Sequence, residues 1–166
     1  MLLLLPPSET KRDGGTPESR LALNELSFPA LAAPRRRAIA AMRTLARDPV
    51  AMGRALKLGA TQAAELTRNR RLTTSPVMPA IDRFDGVLYD ALDAASLPDT
   101  ARRFAAEHVA IASALFGLVG ALDPIPAYRL SHDSRLPGLP LGALWRVVLP
   151  AARPGVIAVA SGREAS

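Results

Sequence analysis

Among residues able to do chemistry, Ser8, Glu9 and Lys11 stand out because they follow directly on the apolar run at residues 2–5. In α/β folds ligands bind beyond the carboxyl ends of strands, so this is where a functional lysine belongs. The segment PPSETK lacks the spacing of a phosphate-binding P-loop, so Lys11 reads either as an anion ligand or as a solvated loop lysine. A second group lies far along the chain: Tyr128 and Arg129 in PAYRL, with Arg135 six positions on, inside one proline-rich stretch. Guanidiniums held by such a stretch suit charge-assisted hydrogen bonding to a phosphate or carboxylate, or equally to the protein's own sheet.

Other chemistries find little support. His108 and His132 are 24 positions apart without metal-ligand spacing, and there is no cysteine, so neither a transition-metal site nor a disulfide framework is predicted. No serine sits in a GxSxG elbow. The residues point away from an enzyme and call for no cofactor.

Charge gives the stronger signal. The net charge is +6, and 19 of the 21 basic residues are arginine. Residues 35–71 hold Arg35, Arg36, Arg37, Arg43, Arg47, Arg54, Lys57, Arg68, Arg70 and Arg71 against only Asp48 and Glu65. Positive charge concentrated in one stretch is what a polyanion-facing surface needs, a solvated helical face being the plain alternative.

The elements that must position these groups follow from pattern. Residues 2–5 read as a short buried strand stopped by Pro6 and Pro7, and residues 8–20 as a surface loop. Helical spacing predicts a helix over 34–47, with Ala38, Ile39, Met42 and Leu45 inward and the arginines on the opposite face. Asp48 before Pro49 predicts an N-cap opening a second helix over 50–58, stopped at Gly59. A third helix is predicted from Thr61 to 71. Residues 84–89, FDGVLY, have strand composition, with a short helix from Asp90; a further helix starts at Pro98 and Asp99. Residues 108–114 read as a central strand, 123–140 as loop, 141–149 as an amphipathic helix and 156–159 as a last strand. Strands separated by helices predict one α/β domain with a mixed sheet and flanking helices, and 49% apolar residues in a chain of 166 suffice for its core.

The second and third helices with their connection, residues 50–71, have the outline of a helix-hairpin-helix element. Hairpin amides and a helix N-terminus there would face a phosphate, with Gly59 allowing close approach and Arg54, Lys57, Arg68, Arg70 and Arg71 contacting neighbouring phosphates. An ordinary helical hairpin is the other reading. The start MLLLLPP has neither a basic flank nor enough apolar residues for a secretory signal, and no stretch predicts a membrane span. A cytoplasmic monomer that meets DNA and no membrane is the expectation.

PPSETK, FDGVLYDAL at 84–92, ASALFGLVGALDPIPAYRL at 112–130, SRLPG at 134–138 and ALW at 143–145 resemble, in order and spacing, the motifs of the YaaA peroxide-stress family. The resemblance implies a cytoplasmic bacterial protein that limits hydrogen peroxide damage by keeping unincorporated iron low. It also implies a family-specific mixed α/β fold and DNA binding through the helix-hairpin-helix element. Carried onto this chain, the motif residues are Lys11, Gly86, Tyr89, Gly117, Asp123, Tyr128, Arg129, Arg135 and Trp145. Gly120 stands where many members have an arginine, removing one anion contact. Members also continue beyond the VIAVASG segment, so the resemblance implies a C-terminally truncated member with a sheet edge or apolar face left uncovered.

Overall fold

A computed structural model describes residues 1–59, 63–131, 133–148 and 158–159. Its centre is a four-stranded sheet in the order β4-β3-β1-β6, built from β1 (Leu3–Leu5), β3 (Val109–Ser113), β4 (Gly117–Gly120) and β6 (Ala158–Val159). β1 runs parallel to both neighbours, pairing Leu4 with Ala110 on one side and Val159 on the other. β3 and β4 form an antiparallel hairpin, Ala110 opposite Gly120 and Ser113 opposite Gly117. The sheet is therefore mixed, as expected. Pro6 and Pro7 end β1 because neither has an N–H to continue the ladder.

Two parallel neighbours require a long crossover, and the path from β1 to β3 holds most of the helices. It contains α1 (Ala32–Leu45), α2 (Pro49–Ala55), α3 (Ala63–Arg70), α4 (Ala80–Arg83), α5 (Val87–Leu92) and α6 (Asp99–His108), with β2 (Met78–Pro79) between α3 and α4. After the hairpin, β5 (Pro124–Ile125) pairs antiparallel with β2, and α7 (Leu141–Val148) follows. The described residues of the stretch 123–140 are otherwise irregular, in keeping with its four prolines.

α1 buries Ala38, Ile39, Met42 and Leu45, the stripe its spacing predicts. Arg35 does not join the outward arginines. It lies one turn before Ala38 and Ile39 on that same stripe and is fully buried, donating to the carbonyls of Phe116 (3.0 Å), Ser27 (2.8 Å) and Leu118 (2.5 Å). Helical phase outranks side-chain charge here because carbonyls of β4 and its turn await the guanidinium.

α2 begins as predicted: the Asp48 carboxylate accepts from the N–H groups of Val50 (3.1 Å) and Ala51 (3.0 Å), and Pro49 occupies the first turn. Its end differs. The helix closes at Ala55, and the chain reverses through Lys57 at φ +54°, not through Gly59. The N–H of Leu58 donates to Gly53 O (2.9 Å) and that of Lys57 to Arg54 O (3.2 Å), the double bond of a Schellman cap with lysine at the left-handed position. Left-handed backbone costs a residue with a Cβ about 1–2 kcal/mol. Gly59 is exposed and outside the left-handed region. The start of the third helix at Thr61 lies outside the described residues.

FDGVLY is not a strand. Gly86, at φ +124°, turns the chain into α5, and the Asp90 N–H donates to Gly86 O (2.8 Å). The turn puts Tyr89 inward, stacked on Phe84 at 5.4 Å between ring centres, and leaves Val87 in solvent. α6, β3 and α7 fall within a residue or two of their expected places. Of the last predicted strand, Ala158–Val159 is described.

Candidate functional site

Beyond β1 the chain runs antiparallel beside residues 83–85, where Lys11 bridges Phe84 and the Arg12 N–H donates to Arg83 O (2.9 Å). That pairing turns Lys11 inward, to 4% exposure. Its ammonium donates to Ser8 O (2.6 Å) and Glu9 O (3.0 Å), 4.3 Å from the centre of the Tyr128 ring and 5.1 Å from that of Phe84. Burial, then the neighbouring Arg129, push Lys11 down to about 7 against the pull of Glu65 and Glu9.

Tyr128 is held from the other side. Its hydroxyl shares a 2.6 Å hydrogen bond with Ser113, the last residue of β3, and its ring meets Phe116 edge-on. Burial pushes both Tyr128 and Tyr89 above the usual phenol value, so both stay neutral. Arg129 is fixed through its backbone: its N–H donates to Asn69 Oδ1 and its carbonyl accepts from Asn69 Nδ2, each at 2.8 Å. Its guanidinium reaches Glu9 at 2.9 Å. Five segments of the chain thus meet near the point where the parallel strands β1 and β3 end. A cleft of about 180 Å³ opens there, lined by Pro7, Ser8, Glu9, Ala114, Leu130 and Ser131.

The protein already supplies partners in this cluster: carbonyls and ring faces for Lys11, a carboxylate for Arg129. Arg135 lies elsewhere. It is exposed, and its N–H approaches Ala55 O (3.5 Å) at the end of α2. The four residues Lys11, Tyr128, Arg129 and Arg135 therefore do not close on one pocket. The chemistry the cluster supports is charge-assisted positioning of the loop after β1.

The cations of the basic segment sort by partner. Arg68 bonds to Asp13 (2.7 Å) and Glu65 (3.0 Å), Lys57 to Asp133 (3.1 Å), and the Arg70 Nε to Ala46 O (3.1 Å). Arg36, Arg37, Arg43, Arg47, Arg54 and Arg71 are exposed, with no carboxylate partner among the described residues. Arg36 and Arg43 follow helical spacing along α1, and Arg47 lies in the turn after it. Arg70, anchored at Ala46, brings a further charge beside Arg47, at a helix end where cations are favoured. α1, α2 and α3 pack on one another, so the segment forms one layer. α2 and α3 are short consecutive helices whose connection is only partly described, which is coarser than a helix-hairpin-helix assignment.

Other motif residues serve the frame. The Tyr89 hydroxyl donates to Pro6 O (2.6 Å), Trp145 Nε1 donates to Ala114 O (2.7 Å), and Trp145 lies against Gly117. Asp123 accepts from the Ser27 N–H (2.8 Å), the Ser27 hydroxyl (2.7 Å) and the Gly120 N–H (2.8 Å). A Cβ on Gly120 would fall 2.6 Å from Ser27 Oγ, so in this chain the position faces a clamp and not a ligand. Sequence reasoning missed Asn69 and Arg83 and counted Arg35 and Glu65 only as charges of the basic segment; of the four, only Arg35, on an apolar stripe, carried a readable signal. Among the described residues no group of three or more His, Cys, Asp or Glu could hold a metal ion, and no helix is long and apolar enough to cross a membrane. His132 lies outside the described residues.

The family model described as "Peroxide stress protein YaaA" matches residues 1–152. A UPF0246 protein of Corynebacterium glutamicum is 48% identical over 137 residues, covering 82% of this chain and 53% of the relative. One from Streptomyces coelicolor is 42% identical over 158 residues, covering 92% and 60%. One from Polynucleobacter asymbioticus is 34% identical over 154 residues, covering 87% and 57%. The chain spans between 53% and 60% of the length of these relatives.

Proposed function

The chain belongs to the YaaA peroxide stress protein family, and from that membership we propose that it limits damage from hydrogen peroxide and free iron while binding duplex DNA without reading its sequence. The contact surface is the arginine-rich layer α1–α3. One observation carries this reading: Arg36, Arg37, Arg43 and Arg54 on three mutually packed helices, and Arg47 and Arg71 in the turns that follow two of them, are exposed with no carboxylate partner among the described residues. An arginine whose charge is already neutralised by the fold has little left for a phosphate, and these six are not so neutralised. The geometry suits backbone contact, because guanidiniums spaced along helices reach phosphates and not one base edge.

Fluorescence anisotropy of a labelled duplex, titrated between 50 and 300 mM salt, tests it. Each phosphate neutralised contributes about −0.9 to the slope of log K against log salt. Four to six contacts would therefore give a slope of about −4 to −5, the same for unrelated sequences. A slope near zero, or a strong preference for one sequence, would sink the proposal.

A further inference from the structure

A depression of about 640 Å³ lies between the end of α2 and the loop at 133–135, lined by Ala51, Arg54, Ala55, Lys57, Asp133 and Arg135. Three cations and one carboxylate thus line it. Arg54 and Arg135 are exposed, and neither has a carboxylate partner among the described residues. Asp133 is engaged by the Ser131 hydroxyl and by Lys57, which hold its carboxyl down to about 2, so it stays ionised and pairs with Lys57 at 3.1 Å. The contact of the Arg135 N–H with Ala55 O attaches this loop to the helix end.

Lys57 is the informative residue. It sits at φ +54° in the C-cap of α2, the position where glycine ordinarily stands. A lysine there carries backbone strain that glycine would relieve, and its side chain lines the depression.

Resting on the DNA-binding reading above, we propose that Arg54, Lys57 and Arg135 form a seat for one backbone phosphate of duplex DNA. The loop at 133–135 then belongs to the same surface as the basic helices, although it lies more than sixty positions beyond them in sequence. Asp133 holds Lys57 in place before the phosphate arrives. The phosphate replaces it as the dominant partner, since two further cations face the depression.

The test uses the full chain, a 20-base-pair duplex and two variants, Lys57→Gly and Arg135→Ala, titrated by anisotropy across the same salt range. Lys57→Gly relieves the left-handed strain, so its melting temperature stays level or rises while DNA affinity falls. Each variant flattens the salt slope by about 0.9, which is about eightfold in affinity at 0.1 M relative to 1 M salt. A wild-type slope that is steep but unchanged in both variants overturns the seat and leaves the wider DNA reading standing. A wild-type chain that does not bind DNA removes both together.

Discussion

Replacing Lys11 by methionine keeps the length of the side chain and deletes its charge, which makes the consequence of that buried charge measurable. Burial brings Lys11 from its ordinary 10.5 down to about 7. That drop corresponds to about 5 kcal/mol of differential stabilisation between its protonation states. Below pH 7 the lysine is protonated in both native and unfolded chains, and the native state bears the whole burial cost. Between pH 7 and 10.5 the unfolded chain still takes the proton while the native one has released it, so wild-type stability rises with pH. Integrated from pH 7 to pH 9, the gain is about 2 kcal/mol. Urea denaturation of wild type and Lys11→Met at pH 6, 7, 8 and 9 gives the relevant quantity, the difference between the two stabilities. Lost hydrogen bonds to Ser8 and Glu9 add an offset, and the neutral Tyr89 and Tyr128 cancel between the chains; the pH-dependent part belongs to Lys11. A difference that stays flat across pH 7–9 would refute the reasoning, because it would mean that the two carbonyls and two ring faces hold the ammonium protonated as firmly as water does.

Two further substitutions probe the frame around the cluster. Gly117→Ala places a Cβ 2.6 Å from the Trp145 ring at φ +78°; overpacking and left-handed strain together should lower the urea-unfolding free energy by about 3 kcal/mol. Asp48→Ala removes the carboxylate that caps α2 and should cost about 1 kcal/mol, read as a lower melting temperature at an unchanged denaturant slope.

Much of the scaffold was legible because local rules and tertiary demands agree there. The unbroken leucines of β1 do lie between two strands, although Leu3 and Leu4 are only half-buried; Asp48-Pro49 opens a helix, and the 38/39/42/45 stripe of α1 faces inward. Legibility failed where a distant partner decided the outcome. FDGVLY has strand composition, yet the positive φ of Gly86 and the stacking of Tyr89 on Phe84 make it helical. Gly59 looked like the turn residue, while the turn went through Lys57, which no propensity favours. At the candidate site, Lys11 drew attention through its place directly after β1, and Arg129 through its place in a proline-rich stretch. The side chain that pins Arg129 is Asn69, sixty positions earlier and unremarkable in its own surroundings. The basic segment was legible as a charge sum but not as a partition: only the fold shows that Arg35 is buried, that Arg68 serves Asp13 and Glu65, and that Arg54 and Arg71 remain outward.

Arg83 is fully buried, and its guanidinium donates to four carbonyls: Arg12 (2.6 Å), Gly14 (3.1 Å), Pro76 (3.0 Å) and Ile125 (3.1 Å). Those carbonyls belong to the loop after β1, the approach to β2, and β5. Prying any one of them away leaves an N–H of a buried cation without its acceptor, which couples the fraying of the three segments. The amides of Arg12, Thr16, Ala80 and Ile81, which bridge these segments, should accordingly exchange their hydrogens as one cooperative unit, with this single cation as the rivet.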